Sequence, residues 1–139
     1  AWKPMSAADQ FFDSNLVLYL ISEDETKADK AEELISQGGH ISVQVLNEFA
    51  SIATRKLRMS HAEISEVLST VRAICQVNPL TEETHDLGMQ IAERYQLSIY
   101  DSMIAASALA AGCKTLFSED MQDGLVINRK LRIKNPFSD

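Results

Sequence analysis

The sequence predicts an α/β domain: a parallel β-sheet flanked by helices on both faces. Three observations lead there. Short apolar runs alternate with stretches of helical periodicity along the whole 139-residue chain. Strands separated by helices pair in parallel, through right-handed crossovers. No repeat, low-complexity tract or Pro/Gly-rich linker divides the chain, so one domain is expected. An apolar share of 45% and a charged share of 24% are those of an ordinary globular protein, and the length suffices for a real core. The domain is expected to span residues 5–139, with residues 1–4 a tag remnant ahead of a natural start at Met5.

The elements follow in order. "DQFF" reads as a brief first strand, and "NLVLYLIS" as a short helix leaving it. From Lys27 to Gln37, Ala28, Ala31, Leu34 and Ile35 form one apolar stripe, and Gly38-Gly39 ends that helix. "HISV" is the second strand, and Ser42 is a candidate cap for a helix running to about Leu57. Ser60 caps the next, where Ile64, Val67, Leu68, Val71 and Ile74 recur at helical spacing. "CQVNPL" is a third extended segment, and Thr81 opens a helix to about Tyr95. A further helix runs from about Tyr100 to Ala111 and stops at Gly112. "KTLFS" is then a strand, and "LRIKNPF" a last one.

Composition narrows the function. A net charge of −7 argues against coating nucleic acid by bulk electrostatics. The basic residues nevertheless cluster, as Arg55, Lys56 and Arg58 and as Arg129, Lys130, Arg132 and Lys134; each group reads either as solvated surface or as a local polyanion contact. The apolar stretch from Met103 to Ala111 is too short to cross a bilayer, and no secretory pattern opens the sequence. Cys75 and Cys113 show no CxxC or His spacing, so neither a disulfide scaffold nor a zinc site is implied. A cytoplasmic setting is expected.

Ligands of open α/β sheets gather outside the carboxyl ends of the strands, and four acidic residues are aimed at that edge. Asp13 directly follows the first strand; capping the next helix is its other role, and the two are compatible. Glu48 lies three residues after Val45 and four before Ile52, beside an apolar stripe. A carboxylate there needs a cation or a basic partner. Asp101 completes an [ST]-x-x-[DE] capping box with Ser98, at the mouth of the most apolar helix. Asp120 stands after "TLFS" as Asp13 stands after its strand, with Glu119 and Asp123 crowding the same loop; a solvated turn is the alternative. Asn15 and Ser118 add neutral ligands or hydrogen-bond partners. Two unit charges about 4 Å apart repel by roughly 4 kcal/mol at an effective dielectric near 20. Such a cluster stays ionised around bound cations, and oxygen donors without His or Cys select Mg²⁺ or Mn²⁺. Carboxylate-held ions of that kind recur in phosphodiester cleavage.

From "FFDSN" to "NPF" the chain resembles a PIN domain, the nuclease fold of VapC-like toxins in bacterial and archaeal toxin–antitoxin pairs. The matching pieces are the Asp-x-Asn after the first strand, the Glu of "SVQVLNEFASIATRKL", the Asp of "SIYDSMIAASAL" and the Asp of "TLFSEDMQDG". Each is weak alone; their order and contexts carry the likeness. The resemblance implies a metal-dependent endoribonuclease acting on single-stranded or structured RNA. Asp13, Glu48, Asp101 and Asp120 would form its acidic quartet and Mg²⁺ or Mn²⁺ site, with Asp13 and Asp101 foremost as metal ligands. Asn15 and Ser118 would line the pocket, Asp123 would assist from outside, and Arg55, Lys56 and Arg58 would guide the RNA. In-line attack of water would leave a 5′-phosphate and a 3′-hydroxyl. A cognate antitoxin would inhibit by blocking the acidic pocket, and a homodimer is expected. The rival readings are a non-catalytic RNA- or protein-binding module of the same fold, a haloacid-dehalogenase-like phosphatase and a receiver domain. The phosphatase pattern wants Asp-x-Asp where Asn15 stands, and the receiver pattern wants paired acids before the first helix.

Overall fold

The computed structural model describes residues 7–138; the expected remnant and the start at Met5 lie outside them. After a short 3₁₀ turn at Ala7–Asp9, the elements run β1 (Gln10–Phe12), α1 (Ser14–Tyr19), α2 (Glu25–Ser36), β2 (Gly39–Ser42) and α3 (Val43–Arg55). They continue with α4 (His61–Ile74), β3 (Cys75–Asn78), α5 (Glu82–Tyr95), α6 (Ile99–Ala110), β4 (Thr115–Phe117), β5 (Val126–Ile127) and β6 (Leu131–Lys134). The expected alternation is present. The sheet has the order β3-β2-β1-β4-β6-β5, and every pairing is parallel except that of β5 with β6.

This order places a switch point at β1 and β4. From β1 the chain steps outward to β2 and β3, and α1 to α4 pack on one another along that path. It then returns through the paired helices α5 and α6 to β4, on the other side of β1. Right-handed crossovers running in opposite directions put the two helix groups on opposite faces of the sheet. Strand β1 is buried at all three positions, as a central parallel strand covered on both faces must be. Phe11, Phe12, Leu16, Ile41, Phe49, Ile104 and Leu116 have almost no exposed surface. Each such side chain contributes about 1.5–3 kcal/mol by leaving water. Helix α6 is buried from Ser102 to Ala108, which accounts for its near-continuous apolar and small residues. Gly88 lets α5 approach it closely, since a Cβ built there would lie 2.4 Å from the Met103 sulfur.

Three local features differ from the expectation. Helix α1 is short because Leu20, Ile21 and Ser22 donate to carbonyls three residues back, tightening the chain out of α geometry. The last strand stops at Lys134, before Asn135 and Pro136, where the chain turns away. Strand β5 went unanticipated: Asn128 and Arg129 both take positive φ (50° and 61°), and the Lys130 N–H donates to the Ile127 carbonyl at 3.0 Å. A tight turn with positive φ in such a three-residue connection normally advertises itself with a glycine, which "INRKL" lacks. Cys75 and Cys113 are free and buried, and among the described residues no helix is long and apolar enough to cross a membrane.

Candidate active site

Register brings the first two acidic elements together. Phe12 of β1 pairs with Phe117 of β4, and the Asp13 N–H donates to the Phe117 carbonyl at 3.0 Å. The next residues on each chain, Asp13 and Ser118, therefore leave the sheet side by side. Asp13 does cap α1, with its Oδ1 accepting from the Ser14 N–H at 2.7 Å. Its Oδ2 accepts from the Ser118 hydroxyl at 2.8 Å and from Asn15 Nδ2 at 3.4 Å. Capping and site membership coexist in one side chain.

Asn15 is the hinge pin between the two loops. Its oxygen accepts from the Glu119 N–H at 3.3 Å, which orients the amide so that Nδ2 faces both Asp13 and Asp120; the latter lies at 3.2 Å. The Ser118 hydroxyl in turn accepts from the Asp120 and Met121 N–H groups, each at 3.3 Å. Both expected polar residues thus sit behind the acids and hold them.

Glu48 arrives from α3, which Ser42 caps by accepting from the Val45 N–H. Sequence reasoning missed Gln44, one turn earlier and buried on the same stripe. Its Nε2 donates to Glu48 Oε2 at 3.3 Å and to the Tyr100 carbonyl at 3.0 Å, tying α3 to the start of α6. A buried amide four residues before a semi-buried carboxylate was the available signal. Asp101 lies in the first turn of α6, where Ser98 accepts from its N–H at 3.1 Å. The complete capping box belongs instead to Ser60 and Glu63 on α4.

The four acids line one open cleft of about 290 Å³, together with Ser14, Ser51, Ile52 and Arg55. Asp13 is only 4% exposed. Burial pushes its carboxyl up to about 6, the charges of Glu48 and Asp101 push the same way, and the Ser118 and Ser14 hydrogen bonds oppose them. Burial also raises Asp101, with Asp120 adding to the shift and a Ser98 hydrogen bond opposing it. The carboxylates therefore feel one another across the cleft, and the site prefers added positive charge.

The donors are oxygens throughout, which suits a hard divalent cation. No three His, Cys, Asp or Glu side chains among the described residues are near enough to enclose an ion as they stand. Mg²⁺ does not require such a cage, because it keeps several waters and takes one or two carboxylates.

The other expected residues separate. Arg55 lies on the cleft wall, donating to the Ser51 hydroxyl at 3.1 Å. Lys56 ends α3, and Arg58 has turned away with a φ of 52°; both are exposed and neither lines the cleft. Asp123 is exposed outside it, where its Oδ1 accepts from the Asn135 N–H at 2.8 Å.

Comparison with known proteins bears on the family and the fold. The PIN domain family model matches residues 11–122. A sarcin–ricin-loop-cleaving toxin, VapC20 of Mycobacterium tuberculosis, is similar in structure at a TM-score of 0.65 and 18% identity, over 80% of this chain and 91% of that one. A toxin–antitoxin complex from Klebsiella pneumoniae contains a chain with a TM-score of 0.70 and 15% identity, over 94% and 99%. DNA-bound VapBC from Salmonella typhimurium gives 0.69 and 19%, over 95% and 99%. No curated protein sequence matches. With the family model spanning every acid of the cleft, the chain belongs to the PIN domain family.

Proposed function

We propose that this PIN domain is a metal-dependent endoribonuclease and the toxin of a toxin–antitoxin pair, acting in the cytoplasm. The observation that carries the reading is the convergence of Asp13, Glu48, Asp101 and Asp120, from four separate elements, on one cleft with Arg55 on its wall. Asp13 and Asp101 would hold Mg²⁺ or Mn²⁺, with Asp120 and Glu48 completing the set. A bound ion supplies charge stabilisation on the phosphate and activation of a water molecule. Asn15, donating to Asp13 and Asp120, keeps those two carboxylates at a set separation. Glu48, tethered by Gln44, would orient the attacking water. Arg55 places a phosphate of the strand over the acids, as backbone contacts position without reading sequence. In-line attack leaves a 5′-phosphate and a 3′-hydroxyl.

An open cleft at a sheet edge favours single-stranded or looped RNA over a closed duplex. The cognate antitoxin would inhibit by inserting an Arg or Lys among the carboxylates, in charge-assisted hydrogen bonds. A homodimer would join two such clefts across one surface.

The test incubates the purified protein with labelled single-stranded RNA in Mn²⁺ and in EDTA, alongside Asp101→Asn. Cleavage should require Mn²⁺ and fall by roughly a hundredfold or more in the variant, with the fold intact. Cleavage that persists in EDTA or in the variant would refute the mechanism. RNA binding without any cleavage would point to a non-catalytic module.

A further inference from the structure

The loop after β4 carries three carboxylates, and the structure gives each a different task. Asp120 faces the cleft. Glu119, beside it, turns the other way to an ion pair with Lys27 of α2 at 2.7 Å. The Tyr19 hydroxyl donates to the second Glu119 oxygen, and Lys27 donates to Tyr19 Oη at 3.1 Å. The Lys27 ammonium also lies 4.8 Å from the centre of the Tyr19 ring and 5.5 Å from that of Phe137. The Phe137 ring packs edge-on against Tyr19 at 4.7 Å. On the far side of the loop, Asp123 accepts from the Asn135 N–H. The end of α1, the start of α2 and the segment after β6 thus grip this one loop on both sides of Asp120.

The grip is wired into the cleft through the backbone. The Glu119 N–H donates to the Asn15 oxygen, and the Asn15 amide donates to both Asp120 and Asp13. Among the described residues the Glu119 N–H is the main-chain donor to the Asn15 oxygen, so a loop released from Lys27 and Tyr19 loosens what sets the direction of that amide. A partly exposed ion pair of this kind adds little to stability. Here it joins two aromatic rings and a third chain segment around a residue adjacent to a candidate metal ligand.

We infer that Lys27, Tyr19 and Glu119 form a positioning latch that sets Asp120 and the Asn15 amide for cation binding in the cleft. The inference rests on the metal-nuclease reading above. Outer-shell partners of this kind typically change metal affinity or activity by 10–100-fold when removed.

The experiment compares wild type, Lys27→Met, Lys27→Arg, Glu119→Gln and Asp120→Asn. Mn²⁺ binding to metal-free protein is followed by calorimetry, exchange protection of the Asp120 and Met121 amides in EDTA, and cleavage as separate kcat and KM. Lys27→Met should bind Mn²⁺ roughly tenfold more weakly, lose amide protection in the loop, and lower kcat without raising the KM for RNA. Its melting temperature in EDTA should stay within about 4 °C of wild type. Lys27→Arg, which keeps the charge and the donors, should recover most of the loss. If Lys27→Met and Glu119→Gln bind Mn²⁺ as wild type does while Asp120→Asn does not, the latch is overturned and the metal site stands. If wild type binds no Mn²⁺, the functional reading itself falls, and the latch with it.

Discussion

Replacing Asp13 with Asn should stabilise the metal-free protein at neutral pH while removing its cleavage activity. Burial, with help from Glu48 and Asp101, moves the Asp13 carboxyl from 3.8 to about 6. Between those values the folded chain holds a proton that the unfolded chain has already released. The stability contributed by this group therefore falls as pH rises through the window and is flat at its lower level above it. At about 1.4 kcal/mol per pH unit, the interval makes ionised Asp13 cost about 3 kcal/mol at pH 7. Asn removes that charge but does not reproduce every contact. Ser118 Oγ already accepts from the Asp120 and Met121 N–H groups and must go on donating, so the new amide oxygen takes the place that accepts from the Ser118 hydroxyl and Asn15 Nδ2. The Ser14 N–H, however, would then face the new NH₂ donor, at a cost of about 1 kcal/mol. The variant should thus be about 1 kcal/mol less stable than wild type near pH 4 and about 2 kcal/mol more stable near pH 7. Urea unfolding in EDTA at several pH values between these limits measures the gap directly. Adding Mn²⁺ should reverse the order at neutral pH, since only wild type gains binding free energy. A gap that does not change with pH, or one that moves the other way, would refute the account of Asp13 as a carboxylate ionised against its surroundings.

Two further outcomes follow from the cleft. Gln44→Leu should cost about 1–2 kcal/mol, because the Tyr100 carbonyl and Glu48 both lose a donor, and should lower cleavage roughly tenfold; unchanged cleavage would show that Glu48 needs no tether. Arg55→Ala, measured by RNA anisotropy in an Asp101→Asn background, should weaken binding and reduce the salt slope by about one. Lys56→Ala should do less, because Lys56 lies outside the cleft lining; equal effects would place the strand along the whole end of α3.

Much of the fold was legible because its signals are local. Caps at Asp13, Ser42, Ser60, Thr81 and Ser98 sit where the sequence suggests, each bonding a backbone N–H within three residues. The hairpin of β5 and β6 was not legible, since Asn128 and Arg129 adopt positive φ without the glycine that marks such a turn. Of the three neighbouring acids after β4, nothing local says that Asp120 turns inward while Glu119 and Asp123 turn away. Their partners, Lys27, Tyr19 and the Asn135 backbone, come from other segments. The same holds for Arg55 against Lys56 and Arg58, which one helix end sends in different directions.

By itself, then, the sequence determined the alternation of strands and helices apart from β5, the burial of α6, and the delivery of four carboxylates to the strand ends. Periodicity and capping are short-range properties, and a linear pattern records them. Only the tertiary structure decided which of those carboxylates share a cleft, how strongly Asp13 holds its proton, and what braces Asp120. Those outcomes depend on the register of β1 against β4 and on the Asn15–Asp120 and Ser118–Asp13 bonds, each between residues 105 apart in the chain. Contacts at that separation follow from how the sheet is ordered, which no local pattern along the chain encodes.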